Sequence, residues 1–350
     1  MKISKYAAVL LGTGVVVAAC AAASQIRQLQ PPQVTAAQRI TLPETAVSAA
    51  PRAFQRGIDI DWYSWPGEDV AGGAVQAIAY ARRLHADAIS VSFPFFMKSN
   101  ADSVQTNTAT PTPADMRILL SAARRAGMYV SVRPLLDEKS LGHSRLGFVP
   151  SDPRAWFRSY ARFLRPYALV AQRYHAGEFI VGSELKSFNL APGWAGLDRY
   201  LRRRYHGTLA CADNWDRVVK RGCATRVQTV DAYHPAHTAD YLAAWESWDA
   251  TLPAGMMQTE VGIAAAAPAP RKPWVLSWPG SPLDPRVQAR WFTAACHAAV
   301  RAHLGGIYFW SIGLGTPSSH GPTLASETTW AGGPGARAIA RCYASVERSH

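Results

Sequence analysis

The sequence lacks the short signatures of several common catalytic and binding sites. No Gly-x-Gly-x-x-Gly loop follows the first predicted strand, which argues against a dinucleotide-binding sheet. The chain has no Gly-x-Ser-x-Gly elbow for an acyl-transfer serine and no phosphate-binding loop. It also has no His-Glu-x-x-His helix and no Cys-x-x-Cys pair of the kind that binds metal ions. We therefore expect neither a cofactor nor a metal.

Charged residues are also scarce, at 17% of the chain, whereas hydrophobic residues make up 48%. This composition is typical of a globular protein and excludes a disordered one. The formal net charge is nevertheless +13, without a nucleic-acid-binding motif. We interpret the arginines as solvated helix faces and expect no nucleic-acid partner; attraction to anionic polysaccharide or lipid headgroups is the functional alternative. The arginine runs are Arg82-Arg83, Arg124-Arg125 and Arg202-Arg203-Arg204.

No apolar run near the N-terminus is long enough for a stable membrane span. Ala7–Ala19 follows a basic start and ends in Val17-Ala18-Ala19-Cys20, which resembles a bacterial lipobox. This resemblance implies a lipoprotein signal peptide over residues 1–19 and lipid on Cys20. An ordinary secretory signal, cut at a nearby Ala-x-Ala, is the alternative. Ala21, in place of Asp, indicates a cell-envelope protein of the outer membrane, or one facing the periplasm, in a Gram-negative host.

Residues 20–53 are expected to be the lipidated cysteine and a flexible tether, because the segment is rich in Gln, Pro, Ala and Thr without clear periodicity. Four cysteines follow it, and an even number in an oxidising compartment suggests disulfides. Three connectivities are possible, and all four could be free thiols. We favour Cys211–Cys223 with Cys296–Cys342, since each pair joins neighbours in the predicted fold.

Eight short apolar runs alternate with helical patterns over residues 54–350. Each run is bounded by Gly, Pro or Asp, as expected of buried parallel strands. Eightfold alternation predicts a single-domain α/β fold, the (β/α)8 TIM barrel, with an open doubly wound sheet as the alternative. The predicted strands are Gly57–Tyr63, Ala88–Phe93, Met128–Pro134, Phe179–Val181, Thr208–Ala212, Val230–Tyr233, Met256–Thr259 and Gly306–Trp310.

Glu184 and Glu260 lie at the polar ends of the fourth and seventh predicted strands. A carboxylate at the end of a buried strand is costly to desolvate, so a surface position is the default for a glutamate without a function. Two such glutamates on separate β/α units fit the two carboxyl groups of a retaining glycoside hydrolase. Two ordinary surface glutamates are the alternative.

Five stretches carry a resemblance to a known family. Their order around strands four, six, seven and eight resembles that of clan A glycoside hydrolases, and within them the family 113 β-mannanase-like barrels, over residues 55–345. The resemblance implies that Glu184 is the acid/base and Glu260 the nucleophile, and that the substrate is β-mannan or a mannose-containing exopolysaccharide. The stretches are Gly147–Tyr160, Phe179–Leu185, Asp231–Pro235, Thr259–Gly262 and Phe309–Trp310.

The same resemblance implies roles for further residues. Tyr233 would donate a hydrogen bond to the nucleophile and Trp310 would stack under the sugar, although either could be an ordinary core residue. Arg133 would bind substrate or hold a carboxylate. A carboxylate after strand one would bind a sugar hydroxyl or cap a loop, and Asn214 would line the cleft. The full set of predicted substrate contacts is Tyr233, Trp310, Asp59, Asp61, Trp62, Arg133, Asp137 and Asn214.

One position departs from the pattern of the clan. Many clan A enzymes have Asn directly before the acid/base, where it binds the sugar 2-hydroxyl, whereas this chain has Ser183. The departure bears on the substrate more than on the reaction. A glycan-binding lipoprotein without turnover and a transglycosylase are the alternative functions. We expect a monomer whose partners are a polysaccharide or oligosaccharide and, through Cys20, a membrane.

Overall fold

The computed structural model describes residues 54–98, 102–218 and 221–348. The predicted signal peptide, Cys20 and the tether lie outside the described residues. Eight parallel strands close into a barrel in chain order, so the predicted (β/α)8 fold is confirmed. The strands are β1 (Gln55–Asp61), β2 (Ala88–Phe95), β3 (Tyr129–Leu136), β4 (Glu178–Ser183), β5 (Thr208–Asn214), β6 (Val227–Asp231), β7 (Met257–Val261) and β8 (Gly306–Gly313).

Helices cover the outside of the barrel after nearly every strand. The β5–β6 connection differs, because its described part contains only the 3-10 turn Gly222–Ala224. The helices are α1 (Val70–Arg83), α2 (Pro113–Arg125), α3 (Glu138–Leu141), α4 (Pro153–Arg173), α5 (Gly193–Arg202), α6 (Tyr241–Asp249), α7 (Pro285–Arg301) and α8 (Pro334–Arg348). Among the residues described, no helix is both long and apolar enough to span a membrane.

Aspartates begin most of these helices at the end of the barrel where the strands finish. The side chain of Asp152, for example, accepts a hydrogen bond from the amide of Ala155 in the first turn of α4. Such a cap satisfies an amide that the helix itself leaves unpaired, which fixes where the helix starts. Asp69, Asp240 and Asp284 cap α1, α6 and α7 in the same way.

Two disulfides link elements on the outside of the barrel, and their pairing is the predicted one. Cys211 on β5 is bonded to Cys223, which lies in the 3-10 turn of the β5–β6 connection. Cys296 on α7 is bonded to Cys342 on α8. The first bond therefore holds a loop of the β5–β6 connection against β5, and the second joins two neighbouring helices.

The inside of the barrel contains a layer of buried polar side chains. Asp59, Ser90, Ser131, Thr229 and Thr259 are fully buried there. The hydroxyl of Thr259 contacts that of Thr229 at 3.0 Å. Because apolar side chains usually fill this space in such barrels, the polar layer indicates that the interior supports charged groups above it.

Candidate active site

Glu260 projects into the barrel mouth because β7 is irregular at its end. The pairing of β7 with β8 shifts register between Gln258 and Val261, and its pairing with β6 shifts before Asp231. In a regular strand, successive side chains point to opposite faces. The irregularity lets both Thr259 and Glu260 reach the buried groups around Arg133 and Asp231.

Both carboxylate oxygens of Glu260 have a donor. The hydroxyl of Tyr233, two residues beyond β6, donates to Oε1 at 2.5 Å. The guanidinium Nη2 of Arg133 lies 2.7 Å from Oε2. A hydroxyl on one oxygen and a guanidinium on the other fix the orientation of this carboxylate. The structure thus brings Tyr233 and Arg133, two of the predicted site residues, together around Glu260.

Arg133 is the fully buried centre of this network. It contacts Oδ2 of Asp231 at 2.6 Å and donates through Nε to Oγ of Ser183 at 3.0 Å. Burial lowers the pKa of Arg133, but the charges of Asp231, Glu260 and Asp59 outweigh burial and raise it above its ordinary value. Ser183, the departure from the clan pattern, therefore serves as an acceptor for the arginine.

Glu184 lies directly after β4 in an uncommon backbone conformation. Its φ is +55°, in the left-handed region, and its amide donates to the carbonyl of Ala212 on β5 at 3.0 Å. Such a conformation costs a non-glycine residue about 1–3 kcal/mol, and residues of this kind concentrate at functional sites. The turn aims the side chain into the barrel mouth, where Arg145 approaches its Oε2 at 3.3 Å.

The electrostatic surroundings of the two glutamates differ. Burial raises the pKa of Glu184, the nearby Arg145 opposes that shift, and the charge of Glu260 adds to it. Glu260 instead has a direct contact with the fully buried Arg133. Two neighbouring carboxyls in unlike environments, one pushed toward its protonated form and one paired with a cation, can divide acid and base roles.

Asp61 and Trp310 complete the floor of the barrel mouth. Asp61 ends β1, and burial raises its pKa to about 7, with a further contribution from the charge of Glu260. Trp310 on β8 is half-buried, and the guanidinium carbon of Arg133 lies 5.9 Å from its ring centroid. Both residues are partly exposed.

Four other predicted substrate contacts are either buried or already hydrogen-bonded to other side chains of the protein. Asp59 is fully buried, and burial raises its pKa well above the ordinary range. Trp62 is 1% exposed and donates its indole N–H to Glu68 at 2.9 Å, so its ring belongs to the core. Asp137 caps α3 and accepts from the hydroxyl of Tyr63 at 3.0 Å. The amide of Asn214 donates to Asp216 at 2.8 Å.

Exposed aromatic rings flank the barrel mouth on two sides. Tyr63 and Trp65 follow β1 and are 43% and 44% exposed. On the β5–β7 side, Trp274 is 44% exposed and stacks on Trp215 with 5.5 Å between ring centroids. Trp215 in turn contacts the ring of His234, the neighbour of Tyr233. Flat, rigid and partly exposed rings of this kind are suited to contact sugar rings.

Two residues of the site were not assigned a role from the sequence. Arg145 lies in the long loop after β3, and Asp231 ends β6 within a stretch already noted for its resemblance. The available signals were the place of Asp231 at the end of a strand and of Arg145 in a long loop on the face where the active sites of such barrels lie. Within the described residues, no group of three or more His, Cys, Asp or Glu side chains is arranged to hold a metal ion.

An eight-stranded barrel with two neighbouring carboxyl groups at its mouth, Glu184 and Glu260, is typical of glycoside hydrolases. The model of Glycoside Hydrolase Family 113 matches residues 67–314, and the chain belongs to that family. It is therefore a glycoside hydrolase. A search of curated proteins gives no match.

Solved structures resemble the chain in fold. A GH113 β-1,4-mannanase superposes with a TM-score of 0.69 at 17% identity, covering 83% of this chain and 99% of that one. The GH113 β-mannanase AaManA from Alicyclobacillus acidocaldarius, in complex with ManMIm, gives 0.69 at 20% identity, covering 85% and 100%. A Glycoside Hydrolase Family 5 mannosidase from Rhizomucor miehei gives 0.52 at 12% identity, covering 88% and 98%.

Proposed function

We propose that the enzyme hydrolyses β-linked mannan, or a mannose-containing exopolysaccharide, with retention of configuration at the anomeric carbon. The observation that carries the proposal is the pair of glutamates after β4 and at the end of β7. One has a pKa raised by burial and the other has a donor on each carboxylate oxygen. Retention needs an acid and a nucleophile close together.

In the first step Glu260 attacks the anomeric carbon and forms a glycosyl-enzyme. Tyr233 and Arg133 orient the carboxylate, and both can release it toward the sugar as its charge is lost. Asp231 remains beside Arg133 at 2.6 Å, so the guanidinium keeps a counterion throughout the step. The polar network therefore supports the change in charge without moving the backbone.

Glu184 protonates the leaving oxygen in that step and then removes a proton from water in the second. Burial favours its protonated form, which the first step requires, and Arg145 limits how far the pKa rises. When Glu260 becomes an ester, its negative charge disappears and the pKa of Glu184 falls. The same side chain is then suited to act as a base.

The substrate class rests on the family and on the open, aromatic cleft. Two GH113 structures that resemble the chain in fold are described as β-mannanases. Trp310 lies half-buried at the barrel mouth, where a sugar ring can stack on it, and Asp61 can accept hydrogen bonds from hydroxyl groups. Exposed rings on both sides extend this surface for a polymer.

Reducing-end release tests the proposal. The full chain would be incubated with β-mannan, glucomannan, β-glucan, xylan and an exopolysaccharide of its host, beside Glu260→Ala and the surface variant Glu246→Ala. We expect release from a mannan by the wild type and by Glu246→Ala, and none by Glu260→Ala. Binding without release from any polymer would instead favour the glycan-binding alternative. Longer products in place of free sugar would favour the transglycosylase.

We also propose that the protein is a cell-envelope lipoprotein attached through Cys20. The support is the sequence Val17-Ala18-Ala19-Cys20, which resembles a lipobox. Intact mass measured on protein from the native host tests this: we expect a chain that starts at Cys20 and carries acyl groups. A chain that starts at another residue, without added lipid, would rule out this mode of attachment.

A further inference from the structure

The charges of the barrel are divided between its two ends. Six of the seven long helices have arginine in their last turn, at the end opposite the catalytic cleft. The catalytic end carries the aspartate caps instead. The arginine runs that the sequence suggested were spread over helix faces therefore gather at one end. We call this surface the basic end; it contains Arg82, Arg83, Arg124, Arg125, Arg173, Arg199, Arg202, Arg203, Arg301 and Arg348.

A cation in the last turn of a helix is favoured by the helix dipole, which accounts for one arginine per helix. The basic end exceeds that requirement, because three helices carry two adjacent or nearby arginines. Arg82, Arg124, Arg173 and Arg203 are exposed, and they make no ion pair or side-chain hydrogen bond among the described residues. These four guanidinium groups can contact a partner without breaking any existing interaction.

Acidic residues neutralise only part of this surface, where Asp198 pairs with Arg202 and Glu246 pairs with Arg301. Asp249 is fully buried against Gln258, and Glu178 is buried against Ser131. Glu347 contacts Arg56 at 3.5 Å and His85 at 3.0 Å, so its charge is already shared. The acids at this end are thus buried or paired, and its exposed charge is positive.

The basic end also offers a cavity of about 550 Å³ between the starts of β3, β4, β5 and β6. Its walls include Arg202, Arg226, His175 and His206. Arg226 is exposed and makes no ion pair within the described residues. Guanidinium groups bind phosphate oxygens well, often through two parallel hydrogen bonds, so a headgroup phosphate suits this cavity.

The course of the chain favours a lipid bilayer over other anionic partners. Residue 54 leads into β1 at the basic end, where the amide of Gln55 donates to the carbonyl of Gly305. The segment that carries Cys20 therefore joins the barrel at this end. We propose that the basic end docks on the anionic headgroups of a bilayer and that the catalytic cleft faces away from it. Electrostatic attraction of this kind operates within a Debye length of the surface.

Vesicle co-sedimentation tests the proposal, with every protein produced without residues 1–20 so that neither the apolar leader nor attached lipid contributes. The basic-end variant combines Arg82→Gln, Arg124→Gln, Arg173→Gln and Arg203→Gln. The matched control removes four exposed arginines at the catalytic end, through Arg154→Gln, Arg158→Gln, Arg271→Gln and Arg286→Gln. Vesicles contain phosphatidylcholine alone or mixed with phosphatidylglycerol. Far-UV circular dichroism checks that each protein is folded.

We expect the parent protein to bind the mixed vesicles more tightly than the neutral ones, and less tightly as salt increases. The basic-end variant should lose at least about tenfold in affinity for mixed vesicles, because each arginine near an anionic surface contributes up to about fivefold. The control should lose much less. Equal losses in both variants, or equal binding to both vesicle types, would overturn the proposal. Tighter binding to a soluble acidic polysaccharide than to mixed vesicles would overturn it too.

Discussion

The hydroxyl of Tyr233 donates a hydrogen bond of 2.5 Å to Oε1 of Glu260, and the two residues come from adjacent strands of the barrel. The phenol lies beyond β6 and the carboxylate near the end of β7. Because the ring of Tyr233 is 6% exposed, the bond forms in a place that water scarcely reaches. The tyrosine therefore fixes the orientation of Glu260, the proposed nucleophile, before a substrate arrives.

Replacing Tyr233 with phenylalanine removes this bond and keeps the ring. We expect kcat for mannan hydrolysis to fall by about 10- to 100-fold, because a hydrogen bond to a charged group contributes about 1.5–3 kcal/mol. Steady-state kinetics on a soluble mannan measures the change. Tyr241→Phe, at the start of α6, is the matched control and should leave kcat unchanged. A Tyr233→Phe enzyme with wild-type kcat would contradict the role.

Azide rescue separates the roles of the two glutamates. With an aryl β-mannoside and azide, Glu260→Ala should yield an α-glycosyl azide, because azide attacks from the side that the carboxylate has left. Glu184→Ala should yield a β-glycosyl azide, because azide attacks the glycosyl-enzyme without needing a base. NMR of the products distinguishes the two anomers. The same anomer from both variants would reverse or remove the assignment.

Arg145→Gln should change the pH profile of the enzyme. Arg145 holds the pKa of Glu184 below the value that burial alone would set. Without the guanidinium that pKa rises, so Glu184 stays protonated to higher pH and the basic limb of kcat/KM moves upward. Glu138→Gln is the matched control: the charge of Glu138 raises the same pKa, so its removal should move the limb slightly downward. Shifts of the same sign in both variants would contradict this account.

Arg133→Met should destabilise the fold as well as the site. The substitution leaves Asp231 and Glu260 without the buried cation that both contact. Removing one partner of a buried ion pair costs about 3–5 kcal/mol. Urea unfolding at neutral pH measures the loss, and the exposed Arg154→Met should change stability by no more than about 0.5 kcal/mol. Similar stabilities for the two variants would show that Arg133 is not needed to neutralise the interior.

Asp249→Asn should remove a pH-dependent loss of folding stability. Burial raises the pKa of Asp249 to about 8, and its Oδ1 accepts from Gln258 at 2.6 Å. Below pH ~4 the carboxyl is protonated in both the folded and unfolded states, so it costs nothing. As the pH rises from there to about 8, the unfolded state gains from ionisation and the wild type loses stability. Asparagine cannot ionise, so the stability advantage of the variant should grow across this window. An advantage independent of pH would disprove the raised pKa.

The barrel was predictable because its strands are short apolar runs with clear boundaries. All eight predicted runs overlap the observed strands, although β6 begins three residues earlier than predicted and ends before Tyr233. Helical patterns in the sequence at residues 115–126, 153–175, 239–250 and 285–304 correspond to α2, α4, α6 and α7. Helix α5 is among those without such a pattern, because its two glycines weaken the helical signal, and the burial of Trp194 and Leu201 stabilises it instead.

The two glutamates of the candidate site were predictable, since each follows a recognisable strand. Their partners were harder to identify, because they depend on contacts between distant parts of the chain. Arg133 and Asp231 are separated by 98 positions, and the contact of Arg145 with Glu184 depends on how the loop after β3 folds back. The burial of Asp59 and Trp62 likewise reflects the exact place where β1 ends, which a sequence pattern locates only within a few residues.

The β5–β6 connection has a consequence for producing the protein. In a typical barrel, a helix packs over the connection between two neighbouring strands, and its folding does not depend on redox conditions. In the described part of the β5–β6 connection, the bond between Cys211 and Cys223 holds the loop against the barrel instead. Synthesis in a reducing cytosol would leave this connection without its covalent link, with both buried sulfurs as thiols. Yield and solubility should therefore depend on the redox state of the expression host more strongly than for a barrel with a complete ring of helices.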